Sequence, residues 1–113
     1  MKTSAVVLGL MLGLAAVPRL AGQAAAAPDG KALYDKSCKA CHGPKGVPPA
    51  ALAKKMKTPV IDAAYLSKVS DDSMVAVMAN GTKNMKPMKG KATPEELAAI
   101  AKYTREVAGG PKQ

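Results

Sequence analysis

Aromatic side chains are scarce in this chain of 113 residues. Only 3% of its residues are aromatic, three tyrosines with neither Phe nor Trp, although 48% are hydrophobic. Aromatic side chains normally supply large areas of buried surface. The core must therefore be built from aliphatic side chains and methionine, or around a large group that is not protein. The formal net charge is +9, but the lack of rings for base stacking argues against a nucleic-acid-binding protein.

Cysteine, histidine and strand-forming patterns are also scarce. Two cysteines exclude a disulfide-rich scaffold. Strands are not indicated, because β-branched residues are sparse and no segment alternates between polar and apolar residues. The sequence shows no nucleophile–base pair and no carboxylate dyad of the kind that hydrolytic enzymes use. We therefore expect a protein that is not an enzyme.

Residues 1–26 have the features of a secretory signal peptide, in the expected order. Lys2 provides a positive start, an apolar or glycine run covers residues 5–17, and small residues follow Arg19. The apolar run is shorter than the roughly 20 residues that span a bilayer. We expect cleavage after residue 26, which removes Lys2 and Arg19 and leaves a single periplasmic domain, residues 27–113, with a net charge of +7. The alternative is an uncleaved membrane anchor.

The remaining residues predict an all-α domain of three main helices and short helical turns. Asp29 and Ser70 can each cap a helix, and Thr93 followed by Pro94 and Glu96 is typical of a helix start with a capping box. The expected helical segments are residues 30–40, 50–56, 63–68, 71–80 and 94–108. Long irregular loops join them, and such loops often carry function.

One motif carries the chemistry. Cys38-Lys39-Ala40-Cys41-His42 has the form C-x-x-C-H. Two cysteines three residues apart on a helix project to nearly the same side, so both can form thioethers with the vinyl groups of one haem. His42 is then placed to bind the iron. This is the attachment motif of a c-type haem, and a haem would supply the large flat group that the core lacks.

Three other interpretations of the motif are weaker. A thioredoxin-like redox pair would need flanking strands. A structural zinc site would need four ligands, whereas the chain offers two cysteines and one histidine. A disulfide between Cys38 and Cys41 is sterically awkward within a helix and would leave His42 unexplained. Secretion also favours the haem, because this type of attachment occurs outside the cytoplasm.

The second axial ligand of the iron cannot be another histidine, because the chain has only one. The residues after residue 26 contain five methionines: Met56, Met74, Met78, Met85 and Met88. Met74 and Met78 are four residues apart on a predicted helix, which favours packing beside the haem. Met56 is too close to the attachment motif to reach the opposite face easily. Met85 and Met88 in the loop before the last helix are the remaining candidates.

With these features the chain resembles the class I monohaem cytochromes c of bacteria, over essentially all of residues 28–108. Gly30 and Tyr34 stand where the first helix of that family has its glycine and its aromatic residue. Ile100 and Tyr103 resemble the aliphatic and aromatic residues of the last helix, which crosses the first at close range. The resemblance implies the cytochrome c fold, wrapped around one covalently bound haem c.

The same resemblance selects among the ligand candidates. In small bacterial members the axial methionine commonly lies eighteen residues before the aromatic residue of the last helix, and that position is Met85 here. Met88 remains an alternative, because this chain has Met-Lys-Pro-Met where the family has Met followed directly by Pro. Pro49 resembles the loop proline whose carbonyl accepts the ring N–H of the axial histidine. Pro48 is equally near.

Iron held by His42 and Met85 has no open position for a substrate and suits one-electron transfer. We therefore expect a soluble, monomeric electron carrier of the periplasm that binds neither nucleic acid nor, after signal cleavage, a membrane. Two alternatives remain. One is a cytochrome subunit permanently bound to a dehydrogenase or reductase, and the other is a ligand-binding or sensor haem protein.

Lysines cluster in the segments that should frame the haem. They are Lys36, Lys39, Lys45, Lys83, Lys86, Lys89 and Lys91. Individually each is an ordinary solvated charge. Together they predict a positive rim around the haem edge, and such a rim would attract acidic redox partner proteins.

Overall fold

The computed structural model describes residues 26–111, and this part of the chain contains six helices and no strand. The helices are α1 (Gly30–Ser37), α2 (Lys39–His42), α3 (Ala50–Met56), α4 (Ala63–Leu66), α5 (Asp71–Asn80) and α6 (Pro94–Val107). The predicted all-α class is confirmed. The predicted signal peptide falls on residues 1–25, outside the described residues, and on Ala26, so the domain boundary stays a prediction.

The three main helices begin where the capping residues predict. The Asp29 side chain accepts the Ala32 N–H at the start of α1, and the Ser70 side chain caps α5. At the start of α6, Glu96 N–H donates to Thr93 Oγ1 at 3.2 Å while Thr93 N–H donates to the Glu96 carboxylate at 2.8 Å. This reciprocal pair satisfies two backbone donors that a helix start otherwise leaves unpaired.

The first helix differs from the prediction of one segment over residues 30–40. It is interrupted at Cys38, whose φ of −120° departs from helical geometry, and a short second helix follows. Cys38 N–H still donates to the Tyr34 carbonyl, and the Cys38 carbonyl accepts the His42 N–H. The cysteine therefore ends α1 and starts α2. The short helix α4 likewise ends at Leu66 instead of residue 68.

Helices α1 and α6 cross at Gly30. A Cβ atom at this position would collide with the Ala99 carbonyl oxygen and would lie 3.1 Å from Tyr103 Cβ. Beside the crossing, the rings of Tyr34 and Tyr103 meet edge to face with centroids 5.4 Å apart. The close approach of first and last helices, expected from the family resemblance, is confirmed, and glycine is the residue that permits it.

The core contains one large buried ring, and the rest is aliphatic or sulfur-containing. Its buried members are Tyr34, Cys38, Leu66, Met74, Met78, Leu97, Ile100 and Ala101. Met85 and Met88 pack against this cluster and are half-buried. Helix α5 supplies Met74 and Met78 and lies against α6. Within residues 26–111, no helix has both the length and the apolar character needed to cross a bilayer.

Arg105 is a buried charge that the sequence patterns did not reveal. Its side chain is 4% exposed, and its Nε donates to the Asp71 carboxylate at 2.8 Å. Its other nitrogens donate to the carbonyls of Leu66, Val69 and Pro111. These bonds connect α6 to the end of α4, the start of α5 and the C-terminal segment. A buried guanidinium is stable only when its donors are satisfied in this way.

Candidate haem site

The two cysteines of the attachment motif lie in different environments. Cys38 is 6% exposed and belongs to the core, whereas Cys41 is exposed. Burial raises the pKa of the Cys38 thiol to about 11, with a smaller contribution from the neighbouring Cys41. The motif thus places one sulfur inside the apolar cluster and one at the surface. These two sulfurs would hold a covalently attached haem through thioether bonds.

His42 at the end of α2 is suited to bind a metal. Burial lowers the pKa of its imidazole, so the ring is neutral and has a free lone pair near pH 7. Its Nδ1 atom is buried and has no hydrogen-bond partner among the described residues. A histidine that only filled the core would normally pair its ring nitrogens. The ring therefore fits an axial ligand of haem iron better than a structural role.

The predicted partner of that ring is Pro49, and the structure contains no hydrogen bond between them. The Pro49 carbonyl accepts the Ala53 N–H at 2.9 Å as the first bond of α3, and Pro49 is exposed. Pro48, the equally near alternative, is buried. The role of a proline carbonyl beside His42 stays a prediction.

Tyr34 fixes the backbone directly after His42. Its hydroxyl donates to the Gly43 carbonyl at 2.7 Å, in a buried hydrogen bond. Burial raises the pKa of Tyr34 to about 12. Gly43 has a φ of +73° and a position at which any Cβ would collide with the Val47 carbonyl. The sequence indicated Tyr34 as a helix-crossing residue; that it also anchors the end of α2 was not predicted.

The first half of the loop between α5 and α6 folds into a tight turn at Met85. Thr82 N–H donates to the Met85 carbonyl at 2.9 Å, and Met85 N–H donates to Thr82 Oγ1 at 3.1 Å. Gly81, with a φ of +69°, approaches this turn so closely that a Cβ would lie 2.5 Å from the Met85 oxygen and 2.7 Å from Pro87 N. The loop is therefore irregular but well defined by hydrogen bonds.

The second half of the loop lies along the end of α5. Met88 N–H donates to the Met78 carbonyl at 2.9 Å, and Lys89 N–H donates to the Ala79 carbonyl at 3.1 Å. The Met88 carbonyl in turn accepts the Lys91 N–H at 2.9 Å. Both candidate methionines thus have anchored backbones.

The structure brings together residues that are far apart in the sequence. Cys38 shares one apolar cluster with Met74 and Met78, and both Met85 and Met88 pack against it. Met74 and Met78 are buried in the core, and their packing beside the haem stays a prediction. Neither burial nor backbone bonding separates Met85 from Met88 as a ligand, so Met85 stays the predicted one.

The donor set fits a haem and not a structural metal ion. Among residues 26–111 there is no group of three or more His, Cys, Asp or Glu side chains arranged to hold a metal ion. A zinc site on the cysteine motif is therefore not supported. Two thiols for thioether bonds, a neutral imidazole and half-buried thioether sulfurs are the groups that a c-type haem requires.

Comparisons with known proteins bear on the family and the fold. The model of the family described as cytochrome C oxidase, cbb3-type, subunit III matches residues 25–103. A solved structure described as KustC0563 c-type cytochrome is 36% identical, with a TM-score of 0.62, and the match covers 74% of this chain and 99% of that chain. A tyrosine-to-phenylalanine mutant of Kustc0563 is 34% identical, with a TM-score of 0.64 and coverage of 70% and 98%. No curated protein matches the sequence.

The family match spans well over half of the chain, and the similar solved structures agree with it in fold. The expected resemblance to monohaem cytochromes c is confirmed, and with it one covalently bound haem c and a role in electron transfer. The chain belongs to the cytochrome c family described as cbb3-type oxidase subunit III, and it is a small c-type cytochrome with the all-α cytochrome c fold.

Proposed function

We propose that the protein is a soluble electron carrier of the periplasm whose haem iron is held by His42 and Met85. The observation that supports this most is the single apolar cluster that joins Cys38 to the loop carrying Met85. When bound, the haem supplies a one-electron couple between ferric and ferrous iron. The neutral imidazole of His42 and the thioether of Met85 would hold the iron, and a thioether ligand would favour its reduced state. With His42 and Met85 both holding the iron, no position would be left for a substrate, so the protein would carry electrons and would not be an enzyme.

The axial ligands are tested with a matched pair of variants. Holoprotein is produced with the haem-attachment machinery, and the ferric form is examined for the charge-transfer band of methionine-ligated iron. We expect Met85→Ala to lose this band and Met88→Ala to keep it, because only the first removes the ligand. Persistence of the band in Met85→Ala would show that Met85 is not the ligand. A parent protein without the band would instead favour a sensor or ligand-binding haem.

The lysines predicted to frame the haem support an acidic redox partner. All seven, from Lys36 to Lys91, are exposed. Within residues 26–111, only Lys39 among them forms an ion pair, at 3.7 Å from Asp35 four residues earlier. Charges of one sign around an electron-transfer site raise the association rate with oppositely charged partners. Because ionic screening acts over about 8–10 Å at physiological salt, this rate should fall as salt is added.

Charge reversal tests the lysine rim without knowledge of the natural partner. The oxidation rate of the ferrous protein is measured with anionic hexacyanoferrate(III) and with a cationic tris(phenanthroline)cobalt(III) complex. Lys86→Glu with Lys89→Glu should slow the anionic oxidant and accelerate the cationic one. The control is Lys54→Glu with Lys55→Glu on α3, two exposed lysines outside the rim. Equal effects of both pairs would indicate net charge alone and contradict a localised rim.

A permanently bound cytochrome subunit is the second candidate, because the matching family model is described as an oxidase subunit. Periplasmic extracts of the native host separate the two functions. A free carrier is recovered by osmotic shock at the mass of a monomer, with an amino terminus at Ala27 if the predicted cleavage is correct. Recovery only within a larger haem-containing complex would favour the subunit.

A further inference from the structure

Thr82 binds both backbone polar groups of Met85. Its N–H donates to the Met85 carbonyl at 2.9 Å, and its Oγ1 accepts the Met85 N–H at 3.1 Å. The same oxygen accepts the Asn84 N–H at 3.3 Å. Thr82 is itself exposed, so these bonds are not a by-product of core packing. The turn from Thr82 to Met85 is therefore closed by two hydrogen bonds, one to the Thr82 hydroxyl and one from the Thr82 amide.

This turn sets the position of the Met85 Cα atom, from which the side chain extends. Met85 follows four residues outside any helix, and a methionine side chain is long and flexible. The position of its sulfur therefore depends on how firmly its backbone is held. Gly81 packs against the same turn. A Cβ atom at this position would collide with the Met85 carbonyl oxygen and the Pro87 nitrogen. Hydrogen bonds from Thr82 thus hold the turn, and the backbone of Gly81 packs against it.

Met88 depends on different contacts. Its N–H is bonded to the Met78 carbonyl at the end of α5, and its carbonyl accepts from Lys91 and Ala92. These bonds involve neither the hydroxyl nor the amide of Thr82. A change at Thr82 should therefore act on Met85 and leave the anchoring of Met88 in place.

We propose that Thr82 is a positioning residue for the axial ligand, and that its hydroxyl holds the Met85 loop in the conformation that presents sulfur to the iron. The inference rests on Met85 being the ligand, as proposed above. In the closed loop the hydroxyl accepts two backbone N–H groups. When the ligand is released and the loop opens, those groups bind water. Loss of the hydroxyl therefore destabilises the methionine-bound form relative to the released form.

The test uses ferric holoprotein and imidazole as an external ligand that displaces methionine. Imidazole is titrated into the parent, Thr82→Val and Thr82→Ser proteins, and loss of the methionine charge-transfer band gives the apparent dissociation constant. Valine keeps the shape of threonine but has no acceptor, whereas serine keeps the oxygen. We expect Thr82→Val to bind imidazole about fivefold to tenfold more tightly, as the loss of one net hydrogen bond predicts. Thr82→Ser should stay within about twofold of the parent, because its hydroxyl retains the bonds.

Thr93→Val is the matched control for global stability. Thr93 Oγ1 also accepts a backbone N–H three residues ahead, from Glu96 at 3.2 Å, but it caps α6. This variant should lower the denaturation midpoint and leave the imidazole dissociation constant unchanged. An equal shift in Thr93→Val would mean that imidazole binding reports only stability, and the proposal would be overturned.

Two further results would also overturn it. The first is an unchanged dissociation constant in Thr82→Val, since the turn would then persist without the hydroxyl or have no influence on the ligand. The second is an equal shift in Thr82→Ser, since the effect would not come from the hydroxyl. Failure of the ligand assignment is distinguishable from both, because Met85→Ala would then keep the charge-transfer band.

Discussion

Replacing Gly30 with alanine should destabilise the protein more than its position in a helix suggests. The added Cβ would collide with the Ala99 carbonyl oxygen, and it would lie 2.9 Å from the Ala99 carbonyl carbon and 3.1 Å from Tyr103 Cβ. The nearest atoms belong to the backbone of α6, so no change of rotamer can relieve the contact. Helices α1 and α6 would have to move apart, which would also separate the rings of Tyr34 and Tyr103.

The expected cost follows from two opposing effects. Extra volume in a close-packed interface costs typically about 1–3 kcal/mol, and a backbone collision belongs at the upper end of that range. Alanine recovers up to about 1 kcal/mol of helix propensity, less at a first helical position such as Gly30. We expect the free energy of unfolding to fall by about 2 kcal/mol, measured on ferric holoprotein by chemical denaturation followed by far-ultraviolet circular dichroism.

Gly90→Ala is the matched comparison, because it isolates backbone conformation from contact. Gly90 has a φ of +80°, and a Cβ added to it would meet no atom within 4 Å. Its substitution should cost about 1 kcal/mol through the left-handed conformation alone. If Gly30→Ala were neutral or stabilising while Gly90→Ala showed its expected cost, the close crossing of α1 and α6 would be wrong.

Three other perturbations have defined outcomes. Arg105→Met should lower the free energy of unfolding by about 2–4 kcal/mol in denaturation experiments, because it removes all the donors of a buried hydrogen-bond network. The estimate stays below that for a fully buried ion pair because the Asp71 side chain is 38% exposed. A loss below about 0.5 kcal/mol would contradict the network. Tyr34→Phe should cost about 1–2 kcal/mol by leaving the buried Gly43 carbonyl without its donor. In the parent, stability should also fall as pH rises from 10 towards about 12, because unfolded Tyr34 loses its proton before the buried residue does, and Tyr34→Phe should lack this component. Finally, Cys38→Ala with Cys41→Ala should abolish haem attachment, and circular dichroism should then show no cooperative unfolding transition, because a domain this small has too little aliphatic core to be stable alone.

The helices that the sequence predicted well are those with local signals at their ends. Asp29, Ser70 and Thr93 cap the main helices through bonds to residues three positions ahead, and Gly81 ends α5. Such bonds depend only on neighbouring residues, so residue type and spacing are enough to predict them. The interruption at Cys38 has no such signal, and the helix through the motif was consequently expected to be continuous.

Features made by distant contacts were predicted only in part. On α6 the apolar residues Tyr103 and Val107 are half-buried, while Ala101 and Arg105 are buried. A signal for Arg105 does exist, because Leu97, Ala101 and Arg105 lie four residues apart in one row of the helix surface. Spacing along the helix cannot predict which carbonyls accept hydrogen bonds from the buried guanidinium. They come from α4, the α4–α5 connection and the C-terminal segment.

The few aromatic residues of the core lie in one part of it, and its methionines lie in another. Where α1 and α6 cross, the rings of Tyr34 and Tyr103 and the side chain of Ile100 pack together. Elsewhere aliphatic side chains are mixed with sulfur-containing ones from α5, the loop before α6 and the attachment motif. Methionine is polarizable and adapts its shape to a neighbour, whereas aromatic rings impose their own geometry on a core. A surface that includes adaptable thioethers is therefore suited to close around a rigid flat group, and two of the three tyrosine rings lie instead at the helix crossing.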